Sequence, residues 1–340
     1  MLNIISLTAN RRKTTGPGKV VKNLMKWLDE LGYPYVLNAD INATKMLWIH
    51  DDVRLLSELK NLKSDVWVLI WPNLFALPRK VHNPTSLEKY PHIMPAHWVV
   101  DFWRRFWYTG TLDVWPAGID SDDFGPSSKE KTDILVYYKQ RPQADLDFLV
   151  EILEEKNLSY TLLDYGTYDE SSFREALSHA RYAIWVGCSE SQGIAFGEML
   201  SSSVPALVWD IDTLGACAFP GSDFTLPELA YEGVTSAPYF DETCGIRITE
   251  KWDLSTAIEK MESSYHSFTP RQYILDHLTL AHQARALLSL YEKYYNLDES
   301  EWRSTLLRTT KKSHNNTLIR ILFDLYDSRL GRIFRTYIRK

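Results

Sequence analysis

The amino-acid sequence predicts an α/β protein made of two doubly wound domains, and three observations carry that expectation. Short apolar runs alternate with stretches of helical periodicity, the pattern of a parallel sheet whose strands and covering helices take turns. The alternation pauses at Asp120-Ser-Asp-Asp-Phe-Gly-Pro126, a turn-rich stretch that reads as a linker, and then restarts. A length of 340 residues with 45% hydrophobic content suffices for two cores of ordinary domain size.

The strands expected in the first half are Asn3 to Leu7, Tyr35 to Asn38, Met46 to His50, Val66 to Ile70, a short one near Ile93, and Leu112 to Trp115. Helical patterns fill most gaps, notably Gly18 to Leu31 and Ala96 to Tyr108. After the linker, strands are expected at Ile134 to Tyr138, Tyr160 to Leu163, Tyr182 to Val186, Ala206 to Trp209 and Val234 to Ser236. Residues 270 to 294 place Ile274, Leu278, Ala281, Ala284, Leu287, Leu288 and Tyr291 on one helical stripe, as a long closing helix does. The resulting division is 1–118, 119–294 and a helical segment over 295–340.

The most informative segment is Glu190-Ser-Gln-Gly-Ile-Ala-Phe-Gly-Glu198, which follows the apolar run Ala183-Ile-Trp-Val-Gly187. A strand that meets a small polar loop and then a helix offers a helix N-terminus to an anion. Carboxylates accept hydrogen bonds from hydroxyls, so two acids beside a phosphate-facing turn suit a ligand with phosphate between two hydroxyl-bearing groups. A surface helix with two solvated acids gives the same letters. Lys139 and Arg141 directly follow the first expected strand of the second half, where the carboxyl ends of parallel strands face a ligand crevice. They are candidates to hold a diphosphate, against the alternative of a solvated turn. Gly16 and Gly18 precede Lys19 and a helix; the ending that a nucleotide P-loop requires is missing, so they mark either a close backbone approach to a ligand or an ordinary turn. His50 and Asp51 end a strand on the crevice side and are candidates to accept or orient the proton of an acceptor hydroxyl. Asp51 also reads as an N-cap for a helix starting near Val53. Trp98, Phe102, Trp103 and Trp107 cluster on one helix, either as core or as a stacking platform for a sugar ring. His97 stands next to them and reads as structural.

Taken together, these segments resemble the GT-B glycosyltransferases, particularly the large retaining family 4. Glu190 to Glu198, with the small-residue helix and Val204-Pro-Ala-Leu-Val208 behind it, is similar to that family's acid-x7-acid segment. Gly16-Pro-Gly-Lys-Val-Val-Lys-Asn-Leu24 is similar to its glycine loop and first helix. Trp115-Pro-Ala-Gly-Ile-Asp120 with Phe124 is similar to the segment leading into its second domain. The resemblance covers roughly residues 1 to 290.

It implies the GT-B fold, two Rossmann-like domains facing a central cleft, with an acceptor-side first domain, a donor-binding second domain and C-terminal helices. It also implies sugar transfer from a nucleotide-sugar, UDP- or GDP-linked, with retained configuration and no metal or other cofactor. By carry-over, Glu198 binds ribose, while Glu190 and the backbone of Gln192, Gly193, Ile194 and Ala195 hold the sugar and phosphates. Lys139 and Arg141 clamp the diphosphate, although the family's arginine and lysine usually stand farther apart. Gly16 and Gly18 border the donor from the opposite wall. The base is expected near Tyr165-Gly166-Thr167-Tyr168. An inverting transferase, a nucleotide-sugar epimerase and a non-catalytic scaffold of the same fold are the rival readings.

Charge splits the chain. Residues 303 to 340 carry a balance of +8 and residues 1 to 302 one of −14. Within 316–340, Leu318, Leu322, Leu325, Tyr326, Leu330, Ile333, Phe334 and Tyr337 recur at helical spacing between arginines, so this helix is expected either to lie on an anionic membrane or to pack on protein. That makes a glycan or lipid-linked glycan an attractive acceptor. Nucleic acid is not expected, since no reading module accompanies the basic tail. Met1 to Thr8 reads as a buried strand and not as a leader, and no apolar run is long enough to span a bilayer, so the expectation is a cytoplasmic protein, at most peripheral to a membrane. Cys188, Cys217 and Cys244 lack paired spacing, which argues against zinc and for reduced, mostly buried thiols.

Overall fold

A computed structural model describes residues 1–9, 15–71, 77–80, 87–106, 108–217 and 223–295. Trp107 and the tail over 296–340, including the amphipathic pattern of 316–340, lie outside the described residues.

The first unit runs β1 (Leu2–Ile5), α1 (Gly16–Leu31), β2 (Tyr35–Leu37), β3 (Met46–Ile49), β4 (Trp67–Ile70), β5 (His92–Met94), α2 (His97–Arg105) and β6 (Leu112–Val114). Its strands form one parallel sheet in the order β2-β1-β3-β4-β5-β6. Thr15 caps α1 by accepting from the Gly18 amide at 3.3 Å, and Gly32 ends the helix in the left-handed conformation. The buried face of α1, Val20, Val21, Leu24, Trp27 and Leu28, covers the sheet.

The second unit runs β7 (Asp133–Tyr138), α3 (Gln143–Glu155), β8 (Tyr160–Asp164), α4 (Glu170–His179), β9 (Ala180–Val186), α5 (Ile194–Ser201), β10 (Ala206–Trp209), α6 (Leu226–Leu229), β11 (Gly245–Ile248), α7 (Leu254–Ser264), α8 (Pro270–His277) and α9 (Leu280–Tyr295). Its strands are parallel in the order β11-β10-β9-β7-β8. The inner strands β7, β9 and β10 are buried almost throughout, as strands covered by helices on both faces must be.

Three expectations are corrected. Val234 to Ser236 is a loop, and the fifth strand is β11. The buried Asp210 carboxylate takes the Ser236 amide at 2.6 Å and the Thr235 hydroxyl at 2.6 Å, so this segment satisfies its polar groups without a ladder. The helix expected over Ala96 to Tyr108 spans His97–Arg105. The helix over 270 to 294 is broken at Leu278–Thr279, where the chain crosses back. Beyond the break α9 packs on the first unit, with the Trp115 indole donating to the Gln283 carbonyl at 2.7 Å and the Tyr295 hydroxyl bonded to the backbone of Val68. The stretch beyond 278 therefore packs on the first unit.

Candidate functional site

Both sheets reverse strand order beside their first strand, at β1/β3 and at β7/β9, and ligands of doubly wound folds bind outside the carboxyl ends of strands at such a point. At the second of these points Lys139 directly follows β7 and Glu190 lies four residues beyond β9. Their side chains meet at 2.5 Å, each about five-sixths buried, and the Lys139 ammonium sits 4.4 Å from the centre of the Tyr165 ring. Burial pulls the Lys139 pKa down, but the Glu190 carboxylate outweighs it and holds the ammonium above its ordinary value.

The loop from Glu190 reaches Gly193, whose left-handed φ of 67° turns the chain into α5. An L side chain is strained in that conformation, which is why glycine stands here. No side chain caps α5, so its first amides face outward together with the positive end of the helix dipole. The Gln192 carboxamide oxygen is buried with no hydrogen-bond partner among the described residues. Unpaired donors and an unpaired acceptor thus meet at one turn, the condition for taking up a polar ligand.

Glu198 lies about one turn into α5, 3% exposed. Lys19 of α1 reaches across from the first unit, its Nζ 2.5 Å from Glu198 Oε1 and 3.1 Å from Glu170 Oε2. Burial raises the Glu198 carboxyl to about 7, against the opposing pull of Lys19. A second contact between the units lies at the acid loop, where the Trp98 indole donates to the Glu190 carbonyl at 2.8 Å.

The remaining sequence candidates sort differently. Gly16 has open space where a Cβ would stand, while one on Gly18 would lie 3.1 Å from the Thr8 carbonyl, so Gly18 answers to packing. His50 is 1% exposed, stacked on Trp71 at 4.2 Å, and bonded through Nε2 to the Pro17 carbonyl at 2.8 Å. Burial pulls it down to about 4, so it is neutral and walled off from an acceptor. Asp51 accepts from the Leu7 amide at 2.7 Å and from the hydroxyls of Ser6 and Thr8; the helix cap is Asp52, not Asp51. Asp51 thus ties β3 to the segment after β1, and His50 ties it to α1. Arg141 is likewise committed, to Asp145 at 2.8 Å, to the Trp209 carbonyl at 3.2 Å and over the Trp209 ring, with 8% exposure. In this conformation it offers nothing to a diphosphate. Trp98, Phe102 and Trp103 are core, at 6%, 0% and 0% exposure, and form no exposed platform among the described residues.

Sequence reasoning missed Lys19, Asp210 and a disulfide. Cys188 and Cys217 are bonded to each other, tying the start of the acid loop to the turn after Leu214–Ala216, and Cys244 is the buried free thiol, so the expectation of three reduced cysteines is corrected. Only the position of Lys19 directly after the glycines hinted at its role. A hollow of about 530 Å³ lined by Lys156, Leu158, Ile258, Glu259, Glu262 and Ser263 lies at the opposite rim, toward the amino ends of the strands, away from this constellation.

No family model matches the chain, and no curated protein matches it in sequence. Solved structures do match. The sucrose-phosphate synthase of Thermosynechococcus elongatus superposes with a TM-score of 0.57 at 13% identity, over 87% of this chain and 99% of that one. The fold is GT-B. The catalytic domain of starch synthase IV from Arabidopsis thaliana, solved with ADP and acarbose, gives 0.55 at 10% identity over 87% and 99%. The lipopolysaccharide outer core galactosyltransferase WaaB gives 0.50 at 12% over 87% and 98%. At such identities the likeness establishes the GT-B architecture and its two units, and the chemistry has to come from the residues.

Proposed function

We propose that this protein transfers a sugar from a nucleotide-sugar to a hydroxyl acceptor. The observation that carries the reading is the constellation at the β7/β9 switch point: an uncapped helix start and the buried Glu198 on one loop and helix, with Lys139 from the end of β7 paired to Glu190 in that loop. The solved GT-B enzymes it resembles in fold, among them one bound to ADP, support the reading.

In the assignment we propose, Lys139 leaves Glu190 for the donor diphosphate, where the amides of Gly193 and Ile194 join it. Glu190, so released, accepts from sugar hydroxyls together with the backbone of Gln192 to Ala195, and Glu198 accepts from the ribose. The bond from the anomeric carbon to the leaving phosphate oxygen breaks, the acceptor oxygen bonds to the same face, and its proton passes to the departing phosphate. Configuration is retained, no protein nucleophile takes part, and a divalent metal is not required. The donor is UDP- or GDP-linked. The acceptor is a glycan or lipid-linked glycan, approached with residues 316–340 peripheral on an anionic membrane.

A thermal-shift screen of UDP, GDP, ADP, CMP and their sugar conjugates in EDTA tests the reading, since a ligand of the folded state raises its stability. One nucleotide is expected to shift the melting temperature. Glu198→Ala is expected to weaken it roughly tenfold to a hundredfold, the loss of hydrogen bonds to a charged group. No shift with any nucleotide overturns the proposal. The product anomer by NMR decides retention, and liposome binding before and after truncation at residue 302 decides the membrane contact.

A further inference from the structure

Glu198 sits deep in the second unit, and its charge needs a partner. Four charged or titratable groups face it: Lys19 from α1, Glu170 and Arg174 from α4, and Tyr168 from the preceding turn. Glu170 repels it. Arg174 is engaged elsewhere, with Glu170 at 2.7 Å and Asp123 at 2.5 Å. The Tyr168 hydroxyl donates to Tyr137. Lys19 is therefore the cation within contact distance. Its own placement is built rather than incidental: the ammonium is 4.8 Å from the Phe124 ring, whose other cationic neighbour is Arg174 at 3.9 Å. A chain of alternating charge, Asp123, Arg174, Glu170, Lys19 and Glu198, runs from the surface to the cleft and crosses from one unit to the other at Lys19.

We propose that Lys19 is a positioning residue of the donor site: as the counter-ion of Glu198 it completes, across the cleft, a recognition site that the second unit does not form alone. This rests on the glycosyl-transfer reading, in which Glu198 accepts from the ribose. An ionised carboxylate is acceptor-only and takes two hydroxyls, whereas the protonated acid gives up part of that capacity. Removing Lys19 removes the interaction that opposes burial, so Glu198 holds its proton to higher pH. Donor recognition is thereby coupled to the arrangement of the two units, because the cation and the acid belong to different sheets.

The test is calorimetry of UDP and GDP binding to the full chain between about pH 6 and 9, with Lys19→Met, Lys19→Arg, Glu198→Gln and the double variant Lys19→Met/Glu198→Gln. The unaltered chain is expected to bind more tightly as the pH rises through the Glu198 titration and then to level off. Lys19→Met is expected to bind roughly tenfold more weakly at neutral pH and to recover as the solution is made alkaline, a profile displaced by about one unit. Lys19→Arg keeps the charge and is expected to restore the original profile. In the Glu198→Gln background, whose binding is weak and flat with pH, Lys19→Met is expected to cost nothing more, as coupled residues require. A uniform loss in Lys19→Met at every pH, or an equal loss in both backgrounds, overturns the inference. If the unaltered chain binds neither nucleotide, the transfer reading and this inference fall together. If it binds and Lys19→Met changes nothing, only this inference falls.

Discussion

The two switch points make an instructive pair, since they share topology and differ in what they leave unsatisfied. At β1/β3 the charged group is spent on the fold: Asp51 takes an amide and two hydroxyls, and His50 Nε2 bonds the Pro17 carbonyl under the Trp71 ring, which leaves only buried neutral ring nitrogens, His50 Nδ1 and the indoles of Trp48 and Trp71, without a partner among the described residues. At β7/β9 the helix start is uncapped, the Gln192 oxygen has no partner among the described residues, and Lys139 and Glu190 are ion-paired to each other across the loop. Strand order marks both places as candidate crevices, and an uncapped helix start beside a charged pair sets the second apart from the first.

Substitutions can break this contrast. The largest effect is expected for Lys139→Ala, which removes the cation paired with Glu190. It should lower kcat/KM by on the order of a hundredfold, as for loss of one group stabilising a leaving anion, and also lower the melting temperature, because Glu190 is left buried without its cation. Retained activity would mean that the second switch point is as structural as the first. Arg141→Ala, only two residues away, should cost stability without a selective loss of donor affinity. It strands Asp145 and frees the Trp209 carbonyl, costing about 3 kcal/mol in urea unfolding, at the lower end for a broken buried pair. A selective loss of donor affinity without loss of stability would return it to the diphosphate.

The smallest effect is expected at His50 and is read by pH. Its folded pKa, about 4, lies below the ordinary 6.5, so the unfolded chain binds the proton more readily. The associated stability is complete above about 6.5 and is lost as the pH falls toward 4. His92, also pulled down to about 4 by burial, contributes in the same direction. His50→Gln should therefore flatten part of the acid side of the stability curve and leave nucleotide binding within about twofold. A pH-dependent change in kcat instead would restore His50 as a proton acceptor.

Much of this protein was legible without coordinates because periodicity and turn chemistry are local. Ten of the eleven strands were placed by apolar runs. Gly245–Ile248 escaped because it is short, starts with glycine and carries an exposed Arg247. The linker, the acid-x7-acid segment and the glycine turn at Gly193 were legible too, since a strand, a small loop and a helix start are written in consecutive residues. What chain order does not encode is which charges meet. Lys139 and Arg141 look equivalent in sequence, and only packing against Asp145 and Trp209 separates a committed guanidinium from an exchangeable ammonium. Lys19 and Glu198 stand 179 residues apart, and Cys188 and Cys217 29 apart. The sequence by itself determined the two sheets and the loop that opens on the second crevice. The tertiary structure decided which side chains are free to face it, because burial and pairing are properties of neighbours that the chain brings together only on folding.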